Sequence, residues 1–554
     1  MLLFLLACRH ASPTGPTWDD DAWPPPVDES AVLYDAGLVH DLAITLDPAD
    51  WDTLRHQSRS MVQLLQGDCL AQPFASPYTY FVAQASFDGE AMGEVGLRKK
   101  GLIGSQSTTR PSLRIDADQY VDGGSFHGLE HMVFNNNNQD LSRMRTCLAH
   151  GLFADAGLVA PRCSIAHVTV NGEDLGLYDN TEAIDAHLIE RLTGEPPATL
   201  YEGTLSDFRD GWLGTFDPKD DASDGQDLAV VTSVLDQTPD ATLIAALDPL
   251  VDMDQFFSFW AAESLAGHWD SYNGNTNNFY VYRSASDGLL RFIASGPDAT
   301  FDSAEPFGVG QPVWVVTVSV LANRLIQIPE GRERYEAAMR TLLDDVWDGE
   351  RRLAQIDAWK DLTHDYTTRD ERRAIGDLRD IVEARSGSVE AQLGGDVPAT
   401  ALRGNPCFVD VGAVRVDFET TFGSYPGGDL YGGGTAETSW VISDQTYTST
   451  KDGVTAGYYS DEEALWFTIS EVAADTWLAA YVVFDVDLLS DGAVIRLDDG
   501  GVQAYLLYNS ADTNGQWATA AYLGDGTLSF TQASAADGAT LTGVLDGTVL
   551  GSGG

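Results

Sequence analysis

The stretch HWDSYNGNTNNFYVY, residues 268–282, constrains the fold more than any other part of the chain. Residues 255–266, just before it, are rich in Phe and Trp at helical spacing and predict a buried helix. The polar residues 268–278 predict a loop, and 279–282 predict a strand. A second apolar run at 290–293 follows an Asp-Gly turn, so the region predicts a helix, a polar loop and a hairpin in that order.

Three residues of this loop carry candidate chemistry. His268, Asp270 and Asn275 have the spacing His-x-Asp-x-x-x-x-Asn, which equals that of the protein-kinase catalytic loop. In that loop the Asp orients the attacking hydroxyl and the Asn holds a metal ion. The alternative is a capping and turn loop, because Asp and Asn bond readily to nearby backbone. The position between a helix and a hairpin favours the functional interpretation.

A second acidic candidate follows the hairpin. Asp298 ends the run Ser295-Gly296-Pro297-Asp298, just after the predicted strand at 290–293. An acidic residue at that place is where a kinase holds its main metal ion. The alternative is an aspartate that only stabilises a turn.

Basic residues are concentrated upstream, although the chain as a whole is acidic. Five of its 32 Lys and Arg residues lie within about 17 positions: Arg98, Lys99, Lys100, Arg110 and Arg114. Glycine and serine between them could add loop amides to an anion site. The alternative is an ordinary solvated hairpin. With the two acidic candidates, this cluster would complete the groups that phosphoryl transfer needs.

The remaining patterns predict a strand-rich region followed by a helical region and then an all-β module. Predicted strands cover 42–46, 79–89, 93–100, 112–117 and the two runs beside the Asn171-Gly172 turn. Predicted helices begin after Asp47 and cover 140–157, 184–192 and much of 331–393. From about Asn405 onward, short apolar runs alternate with Gly, Thr and Asp, which is typical of a β-sandwich or barrel over 405–550.

The first residues resemble part of an export signal. Leu5-Leu6-Ala7-Cys8 is similar to a bacterial lipobox, in which Cys8 would be lipidated, although the charged start expected of a signal peptide is missing. Either the start lies further upstream or the match is chance. Residues 9–37 are Pro-rich at first and predict a tether. No window of about 20 apolar residues predicts a membrane-spanning helix.

Cysteine content and charge narrow the function. If Cys8 is lipidated, four cysteines remain, and Cys69, Cys147, Cys163 and Cys407 allow three pairings that the sequence does not distinguish. No CxxC pair or His–Cys cluster indicates a zinc site. The net charge of −52 argues against binding to nucleic acid, because the overall field repels a polyanion.

Several runs together resemble the CotH (spore coat protein H) kinase family. They are Gly96-Leu97-Arg98-Lys99-Lys100-Gly101 with Ser105, the segment from Asn171-Gly172-Glu173 to Glu182, and Asn277-Asn278-Phe279-Tyr280-Val281-Tyr282, with a late helix that carries Arg385. The resemblance covers about 350 residues in the right order. It implies an α+β fold: a two-lobed, divergent protein-kinase-like domain at 38–395, followed by the sandwich-like all-β module.

Carried over by position, the resemblance implies roles for individual residues. Asp270 would be the catalytic aspartate. Asn275, Asn278 and Asp298 would hold the metal ion. Arg98, Arg110, Arg114 and Glu182 would contact the nucleotide. The sequence departs from the family where Ser295 and Gly296 replace the first two residues of a Trp-Asp-x-Asp run, and where Arg110 and Arg114 replace lysines.

The resemblance implies an exported Ser/Thr protein kinase that uses ATP and Mg²⁺ (or Mn²⁺) to modify surface or coat proteins. A catalytically degenerate pseudokinase that acts as a scaffold is the first alternative, because one metal-site acid is Gly296. An adhesin of the invasin type is another. The expected partner is a basic Ser- or Thr-containing protein, attracted by the acidic surface. A monomer in the cell envelope is expected, attached to the membrane only through lipid on Cys8.

Overall fold

The computed structural model describes residues 28–302, 313–397, 401–426, 428–460, 462–510, 513 and 516–552. The predicted lipobox at Cys8 and the first part of the tether, up to residue 27, lie outside the described residues. No described helix is both long and apolar enough to cross a bilayer.

Seven strands near the start of the described chain close into a barrel. They are β1 (Val39–Thr45), β2 (Phe81–Phe87), β3 (Glu90–Lys99), β4 (Leu113–Asp116), β5 (His131–Asn135), β6 (Cys163–Val170) and β7 (Glu173–Glu182). The order around the barrel is β1-β2-β3-β4-β5-β7-β6, and the parallel pair β1–β6 closes it. Alternate residues of β1, such as Leu42 and Ile44, are buried in the barrel, as their spacing predicts.

The turn between β6 and β7 shows why the sequence predicts the hairpin so well. Asn171 and Gly172 both have positive φ angles, +52° and +83°. A two-residue turn that follows the twist of the strands requires this conformation at both positions. Three helices accompany the barrel: α1 (Pro48–His56), α2 (Met61–Leu65) and α3 (Arg145–Asp155).

The second part of the structure is rich in helices. They are α4 (Ala186–Thr193), α5 (Gln226–Gln237), α6 (Asp240–Leu247), α7 (Met253–Ala266), α8 (Tyr272–Asn275), α9 (Val320–Gln327), α10 (Pro329–Thr341), α11 (Gly349–Leu362) and α12 (Arg369–Gln392). A small sheet accompanies them, with the order β11-β10-β8-β9. Its strands are β8 (Pro197–Gly203), β9 (Phe216–Pro218), β10 (Phe279–Ser284) and β11 (Leu290–Ala294). The core is separate from that of the barrel and is centred on α7, where Phe256 and Trp260 are fully buried.

The last part of the structure is a single antiparallel sheet of ten strands. They are β12 (Phe408–Thr421), β13 (Gly434–Ile442), β14 (Gln445–Tyr447), β15 (Lys451–Tyr458), β16 (Glu463–Ala473), β17 (Thr476–Asp485), β18 (Val494–Arg496), β19 (Gln503–Ser510), β20 (Ala518–Gln532) and β21 (Thr540–Ser552). The order is β14-β13-β12-β21-β20-β19-β17-β16-β15, and β18 pairs with β20. The sheet curls around its own core, so that Trp440 of β13 donates a hydrogen bond to Ser470 of β16 at 2.9 Å.

Mixed helices and strands, ending in an all-β region, agree with the predicted class. The two-lobed kinase-like arrangement stays a prediction. The sandwich-like region is one curled sheet rather than two separate ones.

Two local predictions differ from the structure. Residues 29–34 were predicted to belong to the tether but form a 3₁₀-helix, whose Leu33 and Tyr34 are buried. Arg162 holds this segment through Asp28, at 2.7 Å, because the segment offers both a carboxylate and an aromatic face. The predicted helix at 140–157 begins only at Arg145, since the Asp140 carboxylate accepts backbone N–H groups in the preceding loop.

The four described cysteines pair as Cys69–Cys407 and Cys147–Cys163. The first bond joins the barrel side of the molecule to the start of β12. Val62 and Leu65 of α2 pack beside it against Phe408 and Leu550 of the curled sheet. The curled sheet is therefore attached to the rest of the protein both covalently and by an apolar contact.

Candidate functional site

The predicted loop at 268–278 connects α7 to β10. Helix α7 ends at Gly267, which has a φ of +67°. The single turn α8 is capped by Ser271, whose hydroxyl accepts the Gly274 N–H. A Cβ at Gly274 would lie 1.9 Å from the Trp269 carbonyl oxygen, so only glycine allows the chain to turn this tightly. The loop is therefore compact and held by its own backbone.

The Asp270 carboxylate is the centre of this loop. Nδ2 of Asn275 donates to Oδ1 at 2.6 Å, and Nδ2 of Asn278 donates to Oδ2 at 2.8 Å. Nδ2 of Asn277 lies 3.2 Å from both oxygens. An ionised carboxylate only accepts, so each amide turns its nitrogen toward Asp270 and keeps its oxygen for another partner. Burial raises the pKa of Asp270, and these hydrogen bonds oppose the increase.

Two buried residues, Glu263 of α7 and His268 at the start of the loop, hold the loop in place. Glu263 of α7 accepts a 2.7 Å hydrogen bond from Nδ2 of Asn273, and burial raises the pKa of Glu263 to about 8. His268 donates from Nε2 to the Ser295 carbonyl at 3.0 Å, and burial lowers the pKa of His268 to about 4. The neutral imidazole thus ties the Asp270 loop to the segment that carries Asp298.

Asp298 lies on the 3₁₀ turn Pro297–Ala299, directly after β11. Burial, together with the negative charges of Asp270 and Asp140, raises its pKa to about 6. The two acids that the sequence singled out therefore share one electrostatic environment. Carboxylates close enough to repel each other are stabilised by a cation between them.

Gly296 stands where the family resemblance implies an acidic residue. Its φ is +53°, and a Cβ there would lie 2.7 Å from Oδ1 of Asn278. The Asn278 carboxamide therefore occupies the space next to Gly296 that a side chain would need. A side chain at position 296 and the present placement of Asn278 therefore exclude each other.

The basic residues predicted to bind the nucleotide have different environments. Arg110 donates to the Leu177 carbonyl at 2.7 Å and lies over the ring of Tyr178, so it supports β7. Arg98 lies over the ring of Tyr80. Arg114 is on β4, and its buried Nε has no hydrogen-bond partner. The Nε of Arg110 is likewise unpartnered, but its Nη2 is engaged by the Leu177 carbonyl.

Glu182 is committed to an ion-pair network. It accepts from Nη2 of Arg162 at 2.8 Å and from Nη2 of Arg191 at 2.6 Å, and its side chain is 2% exposed. A carboxylate that is buried between two guanidinium groups serves the folded state. The prediction that Glu182 contacts a nucleotide gains no support from these contacts.

Lys100 appears in the sequence prediction only as one member of the basic cluster. Its Nζ donates to Oδ1 of Asn135 at 2.6 Å. Burial lowers the pKa of Lys100 to about 8, while the negative charges of Glu202 and Asp298 oppose the decrease. Lys100 therefore places an ammonium group in the field of Asp298, with Arg114 nearby. In the sequence, only the position of Lys100 within the basic cluster indicated this role.

Asp179 of β7 was missed altogether. Both of its carboxylate oxygens are buried without a hydrogen-bond partner. Burial raises its pKa to about 7, and Asp140 and Asp298 add to the increase. It also lies within 4.8 Å of the sulfurs of Cys147 and Cys163, which are bonded to each other and so are not thiolate ligands. Nothing in the spacing of a strand residue marks it in the sequence.

These residues carry the oxygen ligands that a divalent cation takes, although no three acidic, His or Cys ligand atoms of the described residues lie within 4.8 Å of one another around Asp298. Asp298 offers a carboxylate with a raised pKa, Asp179 offers two unpartnered oxygens, and Asn275 and Asn278 keep their amide oxygens. Such hard oxygen ligands are the type that Mg²⁺ and Mn²⁺ take. Lys100 and Arg114 supply the cationic groups that phosphates need.

Comparisons with known proteins identify the family to which the chain is similar. The family model described as CotH kinase protein matches residues 97–382, just over half of the chain. The inner spore coat protein H of Bacillus subtilis is 22% identical over 237 residues, or 40% of this chain and 65% of that protein. The invasin CotH3 of Rhizopus delemar is 23% identical over 234 residues, or 39% of this chain and 38% of that protein. The chain thus spans less than two thirds of either relative.

Among solved structures, the proinflammatory kinase CtkA of Helicobacter pylori matches at 10% identity, covering 50% of this chain and 90% of that one. Its TM-score of 0.29 is too low to carry an argument about the fold. The family assignment therefore depends on the sequence match at 97–382. That match includes Asp270, Asp298 and Lys100. The chain belongs to the CotH kinase protein family.

Proposed function

We propose that this chain is an extracytoplasmic protein kinase, which transfers the γ-phosphoryl group of ATP to Ser or Thr of surface or coat proteins. The observation that carries the proposal is the Asp270 carboxylate, held by three amide groups beside Asp298. A fixed carboxylate next to a cation site is the arrangement that positions a hydroxyl for attack on a phosphate.

Each side chain has a role in this scheme. Asp270 accepts a hydrogen bond from the substrate hydroxyl and takes its proton as the new bond to phosphorus forms. Asp298, with the amide oxygens of Asn275 and Asn278, would hold Mg²⁺, which neutralises phosphate charge when bound. Lys100 and Arg114 would contact the phosphates from the barrel side. The amides keep Asp270 in one orientation, so that little reorganisation is needed.

Location and partners are further parts of the proposal. The names of the two relatives refer to a spore coat protein and an invasin, which supports a role at a surface. The net charge of −52 favours basic Ser- and Thr-containing substrates, because long-range attraction raises their rate of encounter. Lipid on Cys8 would keep the protein at the membrane.

The test is phosphoryl transfer from labelled ATP to a basic Ser peptide, with Mg²⁺ or Mn²⁺. We expect incorporation by the wild-type protein and none by Asp270→Asn, which keeps the size of the side chain but removes its charge. Asp236→Asn is the matched control, because Asp236 is exposed on α5. Equal activity of Asp270→Asn and the control would contradict the assignment.

One observation favours a second candidate, a pseudokinase that binds nucleotide and serves as a scaffold. Residue 296 is glycine, and Asn278 fills the space beside it. If this candidate is right, the protein binds ATP with Mg²⁺ but transfers no phosphate to itself or to a basic Ser peptide.

A further inference from the structure

The segment between α12 and the curled sheet passes the Asp270 loop. Arg403 donates its backbone N–H to the Val318 carbonyl at 3.3 Å, and Val318 donates its N–H to the Asn273 carbonyl at 2.8 Å. One residue therefore connects this segment, residues 401–407, to the loop that holds Asp270. The segment lies beyond the matched family region, which ends at 382.

The Arg403 side chain interacts electrostatically with the Asp270 carboxylate. Its Nε is buried and has no hydrogen-bond partner. Burial lowers the pKa of Arg403, and the negative charge of Asp270 opposes the decrease. The interaction is mutual, since Arg403 is also among the groups that oppose the increase in the pKa of Asp270. A half-buried guanidinium thus lies in the field of Asp270, and its Nε has no hydrogen-bond partner.

A neighbouring arginine, Arg209, has a carboxylate partner of its own. Arg209 forms a 2.8 Å ion pair with Asp207 and lies 3.9 Å above the ring of Trp212. Its positive charge acts against Arg403, as its effect on the pKa of Arg403 shows. Asp207 therefore pairs with Arg209, while Asp270 is the acidic group that interacts with Arg403.

The position of Arg403 is fixed from the other side by a disulfide. Cys407, four residues further on, is bonded to Cys69, with a Cα–Cα distance of 5.4 Å. Phe408 follows in the apolar contact with α2. The segment is therefore held both at the Asp270 loop and at the barrel side, so that Arg403 has little freedom to leave.

We propose that Arg403 is a catalytic residue, which contacts the transferring phosphoryl group beside Asp270. The proposal rests on the proposed kinase function. In the transfer, the bond from the γ-phosphorus to the ADP oxygen breaks and a bond to the substrate oxygen forms. The hydroxyl proton goes to Asp270, and ADP leaves with the electron pair. Arg403 donates hydrogen bonds to the equatorial phosphoryl oxygens, where charge is spread in the transition state.

The composition of the loop supports this role. Residues 268–278 contain no Lys or Arg, so any cation beside Asp270 must come from a distant part of the chain. A planar guanidinium suits phosphate oxygens because it offers two parallel N–H groups. The linker to the curled sheet would thus complete the active site, which makes the sheet more than an appended module.

The experiment compares Arg403→Ala, Arg403→Lys and the control Arg415→Ala in the full chain. Arg415 is an exposed arginine of β12, paired with Asp417 and Asp546. We expect kcat of Arg403→Ala to fall by about 100-fold while KM for ATP stays within about threefold, because the contact forms mainly in the transition state. Arg403→Lys should keep part of the activity, and Arg415→Ala all of it.

A second variant tests the clamp. Replacement of both Cys69 and Cys407 by Ser frees the segment, so kcat should fall while the Mg²⁺-dependent binding of ADP is kept. Thermal unfolding and ADP binding show whether each variant is folded. A folded, active wild type with unchanged or increased kcat in Arg403→Ala would overturn the role of Arg403 alone. A folded wild type that transfers no phosphate would overturn the kinase proposal and this inference with it.

Discussion

The two sides of the candidate site are built in opposite ways. Most of the acidic side is carried by one stretch of about thirty residues, in which Asp270 and Asp298 flank the β10–β11 hairpin, while Asp179 comes from β7. The cationic side is assembled from distant places: Lys100 follows β3, Arg114 lies on β4, and Arg403 lies in the linker. A contiguous unit can be recognised from spacing alone, whereas a dispersed one cannot. The predictions below test whether the two sides carry different functions, as this contrast implies.

The largest effect is expected on the acidic side, from Asp298→Asn. Loss of the carboxylate should reduce phosphoryl transfer by about 1,000-fold, because it removes both a metal ligand and its charge. The rate should also become insensitive to added Mg²⁺. The control is Asp361→Asn, which changes an exposed aspartate on α11. If the activity of Asp298→Asn still depends on Mg²⁺, Asp298 does not bind the metal ion.

The next effect concerns the cationic side, and it compares Lys100→Met with Arg110→Met. Removing the ammonium that faces Asp298 should lower kcat/KM for ATP by about 100-fold. Arg110 binds the Leu177 carbonyl and Tyr178, so its loss should leave kcat/KM nearly unchanged and lower the unfolding temperature instead. Steady-state kinetics and a thermal scan distinguish the two. If Arg110→Met instead lowers kcat/KM and Lys100→Met lowers only the unfolding temperature, Arg110 rather than Lys100 contacts the nucleotide.

A smaller effect, on stability alone, is expected from Glu182→Gln. The change leaves Arg162 and Arg191 without their shared carboxylate, at a cost of about 2 kcal/mol in the free energy of unfolding, since both guanidinium groups are partly exposed. Urea denaturation measures it, and ATP binding should not change. Weaker ATP binding at unchanged stability would instead support contact between Glu182 and the nucleotide.

The most gradual effect is a pH dependence that arises beneath the Asp270 loop. Glu263 has its pKa raised to about 8 by burial, so the folded state holds a proton that the unfolded state releases above about pH 4.5. Because folding then retains a proton, stability falls as the pH rises from about 5 to 8, by up to about 1 kcal/mol per pH unit from this group. Glu263→Gln should flatten the decline in urea denaturation at pH 5.5, 6.5 and 7.5. Glu190→Gln, at an exposed position, should not.

Parts of the fold were accessible from local patterns. The Asn171-Gly172 turn, the helix before Gly267 and the hairpin after Asn278 follow from turn chemistry and apolar spacing, which act over a few residues. Helix α3 shows the limit of such patterns. Its apolar spacing extends back to residue 141, but Asp140 folds the intervening residues into a loop by binding their backbone. Competition between a side chain and helical hydrogen bonds is not visible in the spacing.

The sequence by itself determined the acidic loop, because Asp270, Asn275 and Asn278 lie within nine residues and their side chains meet through local hydrogen bonds. It also determined the order of strand-rich, helical and all-β regions, which depends on composition and periodicity. Only the tertiary structure decided that Cys69 pairs with Cys407, that Lys100 faces Asp298, and that Arg403 reaches the Asp270 loop. These contacts join residues that are more than a hundred positions apart. Burial and long-range packing select them, and neither leaves a local signature in the chain.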